Sequence, residues 1–274
     1  MNDVIWWTEI KDRHVIVCDK IDELLWSRSE FKANQTFIQE CLRLGCTTTK
    51  YRGKYAFLRI GHAQEIVSAG FSLAACVAAG WFGWKIRRLR YLPEYRLKDS
   101  LLGYHLILET AISLQCLTWF LSGVFHFRDI YVTQVMDYLG AMASILSLGI
   151  VSLSRWGKVS RSVWLAKTIF FLGHSVYLLG IEFNFGYNAM VCGLLFALNC
   201  GLWVVWYRRL KSPCRVVLKV AGVGLVLASL FQALDFGPIL FLVDSHALWH
   251  IFGFLFSSIL YYFYYLDLTE LGLH

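Results

Sequence analysis

The sequence predicts an all-α integral membrane protein: a seven-transmembrane helix bundle behind a short polar N-terminal segment. Three observations carry that reading. Of 274 residues, 57% are apolar and only 16% are charged, against about 25% charged in an average soluble domain. Seven stretches are apolar over the length that a helix needs to cross a bilayer, about 20 residues for roughly 30 Å of hydrocarbon. The basic residues gather in tracts between alternate stretches, a pattern that bilayer topology imposes. Three Pro and 21 Gly exclude a collagen-like or low-complexity chain, and eight Cys are too few for a disulfide-dense scaffold. The net charge of +7 is not collected on one soluble face, so it does not point to nucleic acid.

Residues 1–63 are polar and mixed in charge, and Met1-Asn2-Asp3 opens no signal-peptide pattern. The first span, 66–84, is free of charge and is followed by Lys85, Arg87, Arg88, Arg90, Arg96 and Lys98. The second, 105–125, and the third, 132–154, are joined by a link whose one basic residue is Arg128. Arg155, Lys158 and Arg161 close the third. Lys167 shortens the fourth, 163–181, and is expected to snorkel to the interface. The fifth, 186–206, runs into Arg208, Arg209, Lys211 and Arg215 before the sixth, 216–234. The seventh, 246–266, opens on two histidines. Residues 64–267 thus form the membrane domain and 268–274 a short tail.

By the positive-inside rule the basic tracts are cytosolic, which puts residues 1–63 in the lumen and the tail in the cytosol. The sequon Asn34-Gln35-Thr36 agrees. Lys50, Arg52, Lys54 and Arg59 oppose that orientation; span one then acts as a reverse anchor, or a leader precedes this start. Cys18, Cys41 and Cys46 lie in the lumenal segment and allow at most one internal disulfide, its pairing open. Cys214, among cytosolic basic residues, is a candidate for palmitoylation.

Ionisable groups inside a bilayer cost several kcal/mol and call for a reason. His246 and His250, four residues apart, share one helix face about 6 Å apart along the axis. His126 ends span two at the same side of the bilayer, and three His with one open position are a known catalytic zinc arrangement. Ser122 lies one turn deeper on the His126 face, and Asp137 lies in the first turns of span three. Five polar groups at one depth predict a metal site held by His126, His246 and His250. Glu109, about 25 Å from His126, belongs with His105 to the opposite, cytosolic end. His174 reads as an interhelical hydrogen-bonding group, with a role orienting a ligand as the alternative. Asp244 reads as a solvated interfacial acid or a partner of His246.

The pattern Ser122-x3-His126, Asp137, His246-x3-His250 resembles the CREST superfamily of seven-helix membrane hydrolases, which includes alkaline ceramidases and adiponectin receptors. Closer strings resemble the Per-one-like family, the GPI-anchor fatty-acid remodelling factors. These are Phe125-His126-Phe127-Arg128-Asp129, Asp137-Tyr138, Val243-Asp244-Ser245-His246-Ala247-Leu248-Trp249-His250, and His174 with Tyr177 and Tyr187-Asn188. Tyr51 to Phe57, then Arg59, Gly61 and Gln64-Glu65, is similar to that family's juxtamembrane motif, with Tyr55 and Ala56 where the family has Trp and Pro. The family also usually begins with a signal peptide and a longer Cys-bearing lumenal segment.

The resemblance implies a zinc-dependent ester hydrolase of phospholipase A2 type. It would remove the sn-2 fatty acid from the GPI lipid of anchored proteins, in the Golgi or endoplasmic reticulum membrane with its site facing the lumen. Zinc on the three histidines would activate a water near neutral pH. Asp137 would act as general base and acid, and Ser122 would hydrogen-bond the developing oxyanion. The competing readings are a ceramidase-like lipid amidase, which the juxtamembrane and HALWH strings argue against, and a non-enzymatic membrane chaperone or receptor.

Overall fold

The computed structural model describes residues 50–51, 54–55, 57, 60, 63–93, 95, 99–181, 183–211 and 213–273. The sequon at Asn34 and Cys18, Cys41 and Cys46 lie outside the described residues. A two-residue antiparallel pair opens the described chain, β1 (Lys50–Tyr51) with β2 (Lys54–Tyr55). Seven helices long and apolar enough to cross a membrane follow among the described residues. They are α1 (Ile66–Leu89), α2 (Asp99–Phe127), α3 (Tyr131–Ser154), α4 (Arg161–Gly180), α5 (Phe185–Tyr207), α6 (Cys214–Leu234) and α7 (Ser245–Leu273). The protein is the seven-helix membrane bundle that composition and hydropathy predict.

Two helix starts are set by local chemistry. Ser160 accepts from the Val163 amide at 3.4 Å to open α4, and Asn184 accepts from the Tyr187 amide at 3.0 Å to open α5; both satisfy an amide that the helix leaves orphaned. Asp235, in the left-handed region at φ 44°, ends α6. Leu240 and Phe241 are also left-handed, at φ 53° and 57°, a strained turn for residues with a Cβ. It is held by Ile239 N donating to Val243 O at 2.8 Å and by burial of the Phe241 ring. That turn fixes where α7 begins, and with it the first histidine of the pair.

α1 packs along both α2 and α7, α6 runs along α7, α2 along α3, and α3 along α5. Ser68, Ser72, Ala75 and Ala79 are buried on one face of α1. Small residues at that spacing let membrane helices approach closely. Gly224 serves the same end on α6, since a Cβ there would stand 2.0 Å from the Phe256 ring of α7. The large apolar core sits toward the basic end of the bundle, around Ile86, Leu108, Trp206, Tyr261, Phe263 and Tyr264. α4 is peripheral and turns Leu165, Ile169, Leu172 and Val176 outward.

Three sequence expectations change. Lys167 does not snorkel: its Nζ donates to Leu146 O on α3 at 2.7 Å. The bare Cα of Gly149 makes room for it, because a Cβ there would lie 2.6 Å from that nitrogen. Cys214 is fully buried at the start of α6, so its thiol is no palmitoylation site. α7 runs through Leu273, past the apolar limit at 266, because Asp267 is buried at 1% exposure with Tyr104 and Arg155 as partners.

Candidate metal centre

At the end of the bundle away from the basic tracts, α2 finishes on His126-Phe127, and α7 begins one residue before His246. His246 and His250 stand one helical turn apart on α7, and the contact of α7 with the end of α2 brings His126 to them. Each offers a ligand nitrogen, and those three atoms lie within 4.8 Å of one another. His250 Nε2 is 3.0 Å from His246 Nε2, which is 3.3 Å from His126 Nε2. His126 and His250 are buried and His246 is half-buried.

The other ring nitrogens decide what those three atoms are. His126 Nδ1 lies 2.7 Å from Glu65 Oε2, and His246 Nδ1 lies 2.6 Å from Gln232 Oε1. Both partners accept, so each Nδ1 carries a proton, and in the neutral imidazole each Nε2 then presents a lone pair. Ser72 Oγ, 2.9 Å from His250 Nδ1, completes the set. Between two neutral imidazoles of that tautomer the lone pairs, 3.3 Å apart, repel. A cation at the centre turns the same geometry into ligation. Nitrogens about 2.0–2.1 Å from a tetrahedral zinc stand roughly 3.3 Å apart, close to the 3.0 Å of His250–His246 and the 3.3 Å of His246–His126. An all-imidazole donor set also suits zinc over magnesium or calcium. The residues present fit the metal.

Ser122 is buried on α2, one turn below His126. Asp137 lies half-buried in the second turn of α3, within electrostatic reach of Cys192 on α5. Its neighbour Tyr138 packs edge-on against Phe125, next to His126, with centroids 6.5 Å apart. Asp244 is no solvated acid: its Oδ1 accepts from Ala247 N at 2.6 Å and so caps α7. Burial pushes its carboxyl up to about 6. His174 bonds Asn188 Oδ1 at 3.0 Å across α4 and α5 and stacks on Tyr187, the interhelical role expected of it.

Glu65, Ser72 and Gln232 are the site residues that sequence reasoning passed over. A search for ionisable groups inside spans does not see a serine or a glutamine, and Glu65 sits one residue before span one. The signal available was depth, since all three lie within two turns of the same end of their helices as the histidines.

The sequence profile of the Per1-like family matches residues 24–268. A Chinese hamster (Cricetulus griseus) protein named "GPI-specific phospholipase A2-like PGAP3" is 31% identical over 223 residues, covering 77% of this chain and 65% of its own length. The mouse (Mus musculus) protein of that name is 33% identical over 218 residues, with the same two coverages of 77% and 65%. The zebrafish (Danio rerio) one is 32% identical over 220 residues, 76% of this chain and 65% of its own length. The matched region thus spans about 65% of the length of these relatives. No solved structure matches the chain. Profile and curated relatives agree: the chain belongs to the Per1-like family.

Proposed function

We propose that this protein remodels the lipid of GPI-anchored proteins by zinc-dependent hydrolysis of the sn-2 fatty-acyl ester. The observation that supports the reading most is the convergence of three Nε2 atoms, two of them with lone pairs fixed inward by Glu65 and Gln232. His126, His246 and His250 hold the metal. A bound zinc supplies Lewis acidity, which makes water nucleophilic near neutral pH. Asp137 takes a proton as water oxygen attacks the ester carbonyl carbon. Ser122 donates a hydrogen bond to the carbonyl oxygen as it gains charge. When the carbon–oxygen bond to glycerol breaks, Asp137 returns its proton to the leaving alkoxide, giving a free fatty acid and a lysolipid.

The site's depth suits an ester just below the lipid headgroups, because the histidines occupy the terminal turns of their helices. The charge of the loops supports a lumenal face for that end, and the family supports a secretory-pathway membrane, Golgi or endoplasmic reticulum. The test is the GPI lipid composition of cells lacking this protein and rescued by wild type or His246→Ala. Wild type restores chain exchange and the variant does not. Unchanged anchors in the deleted cells would overturn the reading.

A further inference from the structure

We propose that Glu65 is a positioning residue of the metal centre, fixing the tautomer, plane and donor strength of His126 through a carboxylate–imidazole hydrogen bond. The inference rests on the metal reading of the three histidines and assigns this chain's own mechanism for holding one of them.

Glu65 is the N-cap residue of α1, yet its side chain makes no capping bond. A carboxylate there would ordinarily accept from the orphan amides of the first turn. Instead Oε2 lies 2.7 Å from His126 Nδ1, with the two side chains only 15% and 2% exposed. The backbone delivers it there. Glu65 N donates to His126 O at 3.0 Å and Gln64 N donates to Phe127 O at 3.2 Å. The Gln64 side chain accepts from Asp129 N. The entry to α1 is thus laced to the exit of α2 at the residue whose imidazole Glu65 holds.

The three imidazoles are not supported alike. At Nδ1, His246 meets an amide oxygen and His250 a hydroxyl, both neutral, whereas His126 meets a carboxylate. A carboxylate on the Nδ1 proton pulls that proton harder and leaves Nε2 a stronger donor to a metal, and such partners typically account for about 10–100-fold in metal affinity. Glu65 also offsets one unit of a divalent cation's charge, which three neutral ligands do not.

Glu65→Gln keeps an oxygen acceptor of the same reach and removes only the charge. In purified detergent-solubilised protein, zinc retention is titrated with a competing chelator, alongside thermal unfolding of the metal-stripped form. Wild type should hold one zinc per chain, and Glu65→Gln should lose it at about 10–100-fold lower chelator. The stripped variant should unfold at the wild-type temperature. Adding Gln232→Glu, which moves the carboxylate to His246, should recover most of the loss. Equal chelator resistance in Glu65→Gln and a zinc-bearing wild type would overturn the proposal alone. So would a matching loss of stability in stripped protein, since that marks a purely structural bond. A wild type that holds no metal would overturn the metal reading with it.

Discussion

The two ends of this bundle both bury polar side chains, and they handle them in opposite ways. At the basic end the acids Asp267 and Glu109 each meet arginines. Asp267 accepts from Arg155 at 2.9 Å and from Tyr104 at 3.1 Å. Glu109 pairs with Arg90 at 2.8 Å and with Arg87 at 3.4 Å, and His105 bonds Tyr95 at 3.2 Å. At the histidine end three like groups face one another, their Nε2 atoms converging while their Nδ1 atoms are spent on Glu65, Gln232 and Ser72. A buried cluster that closes on itself is explained by holding helices together. One that points its lone pairs inward is explained by what it binds.

The widest separation between the ends comes from removing a ligand. His250→Ala should abolish zinc binding and lipid remodelling together, read by elemental analysis and by GPI chain composition. Asp137→Asn should keep the metal and lower deacylation by about 10² to 10⁴, the usual scale of general acid–base catalysis. Loss of zinc in that variant would move Asp137 from proton transfer to metal support. Ser122→Ala should cost less, on the order of tenfold, because water near the membrane surface partly replaces a single hydrogen-bond donor. At the basic end, Asp267→Asn should leave zinc content and activity per folded molecule unchanged. It should lower stability by about 2 kcal/mol, below the usual figure for a broken buried pair because Arg155 is 27% exposed. A selective loss of activity there would dissolve the contrast between the ends.

The fold was legible in the sequence because a span announces itself by length and apolarity alone, and the seven stretches returned as seven helices. What apolarity does not encode is where a helix stops when its polar residues are paired inside. α7 therefore outruns its apolar limit to keep Asp267 with Arg155, and Lys167 turns inward to a carbonyl. The meeting of the three histidines was legible through the four-residue spacing on α7 and the shared depth of His126. Their supports were not. Glu65, Ser72 and Gln232 act through contacts between different helices, 61, 178 and 14 residues from the imidazoles they hold, which no local spacing reports. Two of the three carry no charge to mark them as costly in a membrane.

The central claim is that the convergent histidines are a metal centre, and metal stoichiometry tests it most directly. Elemental analysis of purified wild type should find one zinc per chain, and none in His126→Ala or His246→Ala at equal expression and folding. Zinc content unchanged by both substitutions, or an active wild type without metal, would contradict it.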